Sequence, residues 1–123
     1  MSNSLTIKFI DMKGRLVSFD DYADDVIQWA DDKGILHHSN IAKQFIKATE
    51  EMGEVASVIA KDSGKEAMKK EIGDVFVTMI ILAKQNQLDY AECLRAAYDK
   101  ISKRTGQMQG GFFVKSDDQM PKE

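Results

Sequence analysis

The chain has 123 residues, of which 43% are apolar, and a net charge of −3. This length predicts one domain with a real core, and the slightly acidic balance does not favour non-specific nucleic-acid binding. No apolar run is long enough for a transmembrane helix, and the first residues lack the features of a signal peptide. The single cysteine excludes an internal disulfide. We therefore expect a cytoplasmic protein that has neither nucleic acid nor membrane as a partner.

The first segment, residues 1–17, predicts either a small β-hairpin or an ordered arm. Its two apolar stretches, at 5–10 and 15–19, alternate weakly and are separated by a short polar turn. A two-stranded hairpin alone is marginally stable, so both alternatives stay open. We expect residues 18–115 to form one helical domain and residues 116–123 to be a polar tail.

A first helix is predicted from about Phe19 to Lys33. Ser18 and Asp21 have the spacing of a capping box at its start. Trp29 falls away from the middle of the apolar stripe of this helix. It either packs against a neighbouring helix or lines a pocket for a flat ring.

Two longer helices are predicted at 41–61 and 65–87, joined by a turn at Asp62-Ser63-Gly64. Ser63 and Glu66 again have capping-box spacing. The second of these helices is apolar almost all round between Ile72 and Ala83, which is typical of burial on most sides. Because a domain this small has little core to surround a helix, we expect part of this helix to face another subunit.

Two acidic pairs flank the turn, Glu51-x-x-Glu54 and Glu71-x-x-Asp74. Residues three apart share one face of a helix, so each pair can direct two carboxylates to one point. In an antiparallel hairpin centred on the turn, Glu51 is level with Asp74 and Glu54 with Glu71. The pattern therefore predicts four carboxylates at one height of two adjacent helices.

Four ionised acids this close together need a cation, or some of them must take up protons. Oxygen ligands suit Mg²⁺ or Mn²⁺, and the Glu-x-x-His pattern of di-iron bundles is absent. Asp74, inside an apolar stretch, is costly unless it is paired or binds a cation. A neighbouring acid such as Glu50 could hold or deprotonate a water molecule. The alternative is a merely solvated acidic face, which is common in acidic chains.

A fourth helix is predicted from Asp89 to about Arg104. Lys100, Lys103 and Arg104 follow one another near its end. They either complement the negative end of the helix dipole or form a basic clamp for phosphate oxygens.

The pattern K-x-x-E-E-x-x-E followed by E-x-x-D resembles the MazG-like nucleoside triphosphate pyrophosphohydrolases. The resemblance covers residues 17–115 and rests on Lys47, Glu50, Glu51, Glu54, Glu71 and Asp74. It implies an all-α, four-helix bundle completed by forming a homodimer or homotetramer. It also implies hydrolysis of a nucleoside triphosphate to the monophosphate and pyrophosphate.

The resemblance implies a role for each matching residue. Glu51, Glu54, Glu71 and Asp74 would bind Mg²⁺, and Glu50 would orient the attacking water or support the metal's ligands. Phosphates would be contacted by Lys47, Lys100 and Arg104, and the base by Trp29 or by the N-terminal segment. The preferred base is not encoded in the motif.

Two other functional classes remain open on the sequence. One is a non-catalytic helical interaction module whose acids bind a structural cation. The other is a related hydrolase of a phosphoribosyl nucleotide.

Overall fold

The computed structural model describes residues 8–38 and 40–118, and in this part the chain is mainly helical with a small hairpin near each end. Four strands, β1–β4, and five helices, α1–α5, follow in the order β1 (Lys8–Ile10), β2 (Leu16–Ser18), α1 (Phe19–Asp32), α2 (Ile35–His38), α3 (Ile41–Lys61), α4 (Lys65–Gln85), α5 (Tyr90–Ile101), β3 (Gly106–Gln109) and β4 (Phe112–Lys115). A short 3₁₀ turn, Ser116–Asp118, ends the described part. The predicted helical class is confirmed.

The N-terminal segment is a hairpin, which decides between the two predicted alternatives. β1 and β2 pair antiparallel, with Phe9 opposite Val17. The turn is held by Asp11, whose carboxylate accepts hydrogen bonds from the backbone N–H of Lys13 at 2.9 Å and of Arg15 at 2.8 Å. Residues 1–7, which we also assigned to this segment, lie outside the described part.

The first helix begins as predicted. The Ser18 side chain accepts from the backbone N–H of Asp21, and the Asp21 carboxylate accepts from the backbone N–H of Ser18 at 2.9 Å. Two N–H groups that would lack partners at the helix start are thereby satisfied. The segment after this helix contains the short helix α2, which was not predicted.

The helix α4 begins at Lys65 as predicted, but the turn before it corrects the predicted cap. The N–H of Ser63 donates to the carbonyl of Val58 and that of Asp62 to Ile59, the two bonds of a Schellman motif. Asp62 has a left-handed backbone with φ of 49°. Ser63 is thus used to close α3, and Gly64 begins α4 without a side-chain cap. The capping box predicted at Ser63 is therefore wrong.

The core lies where α1 and α3 pack on α4. Small side chains allow this close packing, since Ala23, Ala30 and Ala48 are all buried. A polar contact also crosses the α3–α4 seam, where the Gln44 side-chain amide donates to the buried carbonyl of Thr78 at 3.1 Å. Within the described ranges, the other buried apolar residues are Val17, Ile80 and Ile81.

Large apolar side chains remain exposed on both long helices. Phe45, Met52 and Ile59, which have the helical spacing of a core stripe, are each more than half exposed on α3. On α4, Ile72 and Met79 are also exposed, so the burial predicted on most sides is only partial within one chain. None of the helices in the described ranges is both long and apolar enough to cross a membrane.

The chain divides into two compact units after Tyr90. The second unit contains most of α5, which ends at Ile101 and so before the predicted Arg104, and the hairpin β3–β4. Gly110 and Gly111 link these strands with φ of 58° and 85°. Two consecutive positive φ angles define the hairpin turn for which Gly-Gly is suited. This hairpin was not predicted from the sequence.

The two serines provide a test of the capping assignments. Ser18→Ala removes a side-chain acceptor at the start of α1, so we expect a loss of about 1 kcal/mol in the free energy of unfolding. Ser63→Ala is the matched control, because Ser63 does not cap α4, and its stability should stay close to that of the wild type. Urea unfolding followed by circular dichroism measures both, and equal losses would contradict the assignment.

Candidate metal site

Three of the four predicted metal ligands converge on the seam between α3 and α4. One carboxylate oxygen from each of Glu51, Glu71 and Asp74 lies within 4.8 Å of the other two. Glu51 comes from α3, whereas Glu71 and Asp74 are one turn apart on α4. The antiparallel helix pair therefore produces a cluster with carboxylates from both helices, as the spacing predicted.

Local packing places Glu51 at the edge of the core. It follows the buried Ala48 by three residues, which puts both on the face of α3 that packs against α4. The Glu51 side chain is only 15% exposed, whereas Asp74 faces solvent. The cluster thus has one sheltered side and one open side, as a site for a small charged ligand requires.

Lys47 supplies the nearest positive charge. Its Nζ lies 3.0 Å from Oε1 of Glu51, one helical turn away on α3. The hydrogen bond to Glu51 and the charge of Glu51 raise the pKa of Lys47, with smaller contributions from Glu50 and Asp74. Lys47 was predicted to contact phosphates; in this structure it is the counter-ion of a predicted metal ligand.

Glu71 carries the electrostatic signature of the cluster. Partial burial raises the pKa of its carboxyl group above the ordinary value, and the charges of Asp74, Glu54 and Glu51 raise it further. Burial and neighbouring like charges both disfavour the ionised form. The site therefore has excess negative charge that a proton or a cation would relieve.

Glu54 and Glu50 lie at the margin of this cluster. Glu54 is exposed and is not one of the three converging carboxylates, although its charge acts on Glu71. Glu50 is exposed, and its charge acts on Lys47. Glu54 as a ligand and Glu50 as the residue that holds water stay predictions.

The remaining predicted residues lie in different parts of the chain. Trp29 is on α1 with 49% of its surface exposed, as a residue available to a ligand would be. Lys100 and Arg104 belong to the second unit, where they line a basic cavity together with Lys103 and Lys115. The place of Lys115 was missed because the β3–β4 hairpin was missed, although Gly-Gly before an apolar stretch is a hairpin signal.

The donor set fits a hard divalent cation. Three carboxylates contribute only oxygen atoms, which Mg²⁺ and Mn²⁺ prefer. No histidine or cysteine belongs to this group of described residues, so softer metals have no preferred ligand here. The raised pKa of Glu71 indicates the same need for positive charge.

Replacing Glu71 tests the repulsion in the metal-free protein. Because the pKa of Glu71 is raised in the folded state, wild-type stability should fall as the pH rises through that pKa. Glu71→Gln removes the charge, so in EDTA we expect a higher melting temperature than wild type at neutral pH. The gain should shrink near pH 4, where Glu71 of the wild type is itself protonated.

Glu66→Gln is the matched control for this experiment, since Glu66 is an exposed acid on the same helix that pairs with Lys69. It should show no such gain. A Glu71→Gln melting temperature at or below that of the wild type at neutral pH would contradict the repulsion.

Comparison with known proteins identifies the family of the chain. The sequence model of one protein family, the MazG nucleotide pyrophosphohydrolase domain, matches residues 36–108, a range that contains both acidic pairs. A protein of Haemophilus phage HP1, described as an uncharacterized 18.2 kDa protein in the rep-hol intergenic region, is 48% identical over 65 residues. The match covers 53% of this chain but only 39% of the phage protein, and no solved structure matches. Because the family model matches residues 36–108, which is more than half of the chain, the chain belongs to the MazG nucleotide pyrophosphohydrolase domain family.

Proposed function

We propose that this protein hydrolyses nucleoside triphosphates, with ribose or deoxyribose, to the monophosphate and pyrophosphate. The observation that carries the proposal is the convergence of Glu51, Glu71 and Asp74 on one point, in a chain of this family. Phosphoryl chemistry of this kind depends mainly on positioned charges and a divalent cation, which such a cluster can hold.

The cluster residues would hold the cation, Mg²⁺ or alternatively Mn²⁺. Glu51, Glu71 and Asp74 are the ligands that the geometry supports, and Glu54 is a fourth ligand proposed from the motif. When bound, the cation supplies charge neutralisation for the phosphates and lowers the pKa of a bound water. Binding it also favours the ionised form of Glu71, so metal affinity should decrease as the pH falls.

The neighbouring residues would position the reactants. Glu50 lies beside Glu51 in the sequence and would accept a proton from the attacking water. Lys47 would neutralise phosphate oxygens once a cation has taken its place at Glu51. Trp29 would stack on the base, and Lys100 and Arg104 would bind phosphates.

We also propose that the protein forms a homodimer or homotetramer in the cytoplasm. The support is the set of exposed apolar side chains on α3 and α4, which a single chain leaves in water. Covering such side chains with a second copy removes apolar surface from water, which favours association. Phe45, Met52 and Ile59 follow one another at seven-residue spacing on α3, so they lie along one stripe.

Asp74→Asn tests the activity. The substitution replaces a charged carboxylate by a neutral amide. We therefore expect Mg²⁺-dependent pyrophosphate release to fall by about a hundredfold or more, which is the usual effect of removing a group that stabilises charge in an active site. Release is measured over a panel of standard and modified ribo- and deoxyribonucleoside triphosphates, with Mg²⁺, Mn²⁺ or EDTA.

Glu66→Gln again serves as the control and should retain wild-type rates. Full activity of Asp74→Asn would refute the metal assignment. If a folded, metal-binding wild type releases no pyrophosphate from any triphosphate, the interaction module or the phosphoribosyl nucleotide hydrolase becomes the better interpretation.

A charge in the apolar stripe tests self-association. Met52→Lys places an ammonium in the middle of the stripe, so we expect a smaller species than the wild type in sedimentation velocity at the same concentration. Lys43→Met, on the same helix but outside the stripe, should leave the sedimentation coefficient unchanged. A wild type that sediments as a monomer at all concentrations would contradict the proposal.

A further inference from the structure

A buried polar contact joins the two long helices at the end of the hairpin that is far from the turn. The Gln44 side chain is only 6% exposed, and its Nε2 donates to the carbonyl of Thr78 at 3.1 Å. The connection between Asp62 and Gly64 closes the other end of the helix pair. Gln44 lies about 18 residues, or roughly 27 Å, before that turn along α3. The contact therefore fastens the open end of the hairpin.

Gln44 lies on the same stripe of α3 as a residue of the acidic cluster. Ala48 follows Gln44 by four residues, and Glu51 follows Ala48 by three. Residues at these spacings lie along one face of a helix. Gln44 and Ala48 are both buried, whereas Glu51 is at the edge of the core. The stripe thus runs from a buried amide to the carboxylate that α3 contributes to the cluster.

The helix α4 carries the same spacing in the opposite direction. Asp74 precedes Thr78 by four residues, and Glu71 precedes Asp74 by three. The hydrogen bond places Gln44 opposite Thr78. In the same antiparallel register, Glu51 lies opposite Glu71, and the small alanine of the α3 stripe lies opposite Asp74. The register of this hydrogen bond is therefore the register in which the three carboxylates meet.

The partner of Gln44 is a backbone group, which gives the contact a fixed reference point. The hydroxyl group of Thr78 donates to the carbonyl of Val75 at 2.7 Å, so it is the carbonyl of Thr78 that faces α3. A carbonyl in the middle of a helix cannot change rotamer, as a side chain can. The Gln44 amide therefore locates α3 relative to the backbone of α4.

The contact opposes the repulsion within the cluster. Among the described elements, α3 packs mainly on α4, so little else holds its first turns in place. Like charges on the two helices favour their separation, and the end without the turn is the one that can open. The carboxylates of Glu51, Glu71 and Asp74 lie between the turn and the Gln44 contact. Both fixed points are needed to keep them together.

We propose that Gln44 is a positioning residue of the metal site, because its hydrogen bond to the Thr78 carbonyl holds Glu51 close to Glu71 and Asp74. Gln44 contributes no ligand atom and acts through Glu51. The benefit to a bound cation rests on the proposed function. The role in holding the three carboxylates together does not.

The first test is Mn²⁺ binding to the full chain without nucleotide, measured by electron paramagnetic resonance. Gln44→Met keeps a side chain of similar length and volume but cannot donate a hydrogen bond. We expect the Kd for Mn²⁺ to rise by about tenfold, as is usual when a residue that orients a metal ligand is lost. The melting temperature should stay close to that of the wild type, because the thioether stays buried and the Thr78 carbonyl keeps its bond within α4.

Two control variants separate positioning from general stability. Val17→Ala removes buried apolar atoms on β2, outside the helix pair, so it should lower the melting temperature and leave the Kd for Mn²⁺ unchanged. Thr78→Val keeps the carbonyl that Gln44 contacts, so it should also bind Mn²⁺ like the wild type. Unchanged Mn²⁺ binding by Gln44→Met would overturn the proposal, as would an equal loss of affinity in Val17→Ala.

The second test is a double-mutant cycle in EDTA, which involves no metal. While Gln44 holds the open end of the hairpin, Glu71→Gln relieves repulsion and should raise the melting temperature. In the Gln44→Met background the helices can move apart, so the same substitution should raise the melting temperature by less. Equal gains in the two backgrounds, or no gain in either, would contradict the proposal.

Neither test involves a nucleotide, so a wild type that hydrolyses no triphosphate leaves the role of Gln44 open to both. A wild type that binds no Mn²⁺ would refute the metal assignment. The cycle in EDTA would then decide whether Gln44 holds the carboxylates together.

Discussion

Repulsion between carboxylates is the constraint on which the rest of the first unit depends. Glu51, Glu71 and Asp74 are held together by packing between α3 and α4, not by any attraction among themselves. Ala48 permits the close approach, and the Gln44–Thr78 hydrogen bond fixes it in a buried setting. The apolar contacts of the helix pair thus offset an unfavourable electrostatic arrangement.

The charges of the chain are separated into opposite kinds of site. The acidic cluster belongs to the first unit, and the basic cavity at the end of α5 belongs to the second. Each of them concentrates side chains of like charge, and in the acidic cluster Lys47 pairs with Glu51. Clustered carboxylates favour a cation and clustered ammonium and guanidinium groups favour an anion, so the two units differ in the charge of the ligand that suits them.

The helical framework could be predicted because its signals are local. Ser18 and Asp21 marked the start of α1, and the symmetry of the two acidic pairs about Asp62 and Ser63 gave the register of the hairpin. The wrong capping at Ser63 shows the limit of such signals, since that residue could close one helix or open the next. Only the backbone hydrogen bonds from Ser63 to Val58 and from Asp62 to Ile59 decide between these roles.

The burial of apolar side chains on α3 could not be predicted from their periodicity. The stripe through Phe45, Met52 and Ile59 has the spacing of a core face, yet α4 packs instead against the face that carries Ala48 and Glu51. A pattern of apolar residues predicts that one face of a helix is buried, but it does not show whether the residues that bury it belong to the same chain. The place of Lys115 in the basic cavity could not be predicted for a different reason, because Lys115 lines the same cavity as Lys100 only after the chain reverses at a turn of two glycines.

The ion pair between Lys47 and Glu51 makes any ligand of the cluster compete with a side chain. One carboxylate of the three already has a positive partner one turn away on the same helix, at 3.0 Å. A cation that bound Glu51 would have to displace the Lys47 ammonium or share the carboxylate with it. The ammonium that was released would then lie beside the bound cation, and therefore beside any anion that the cation carried.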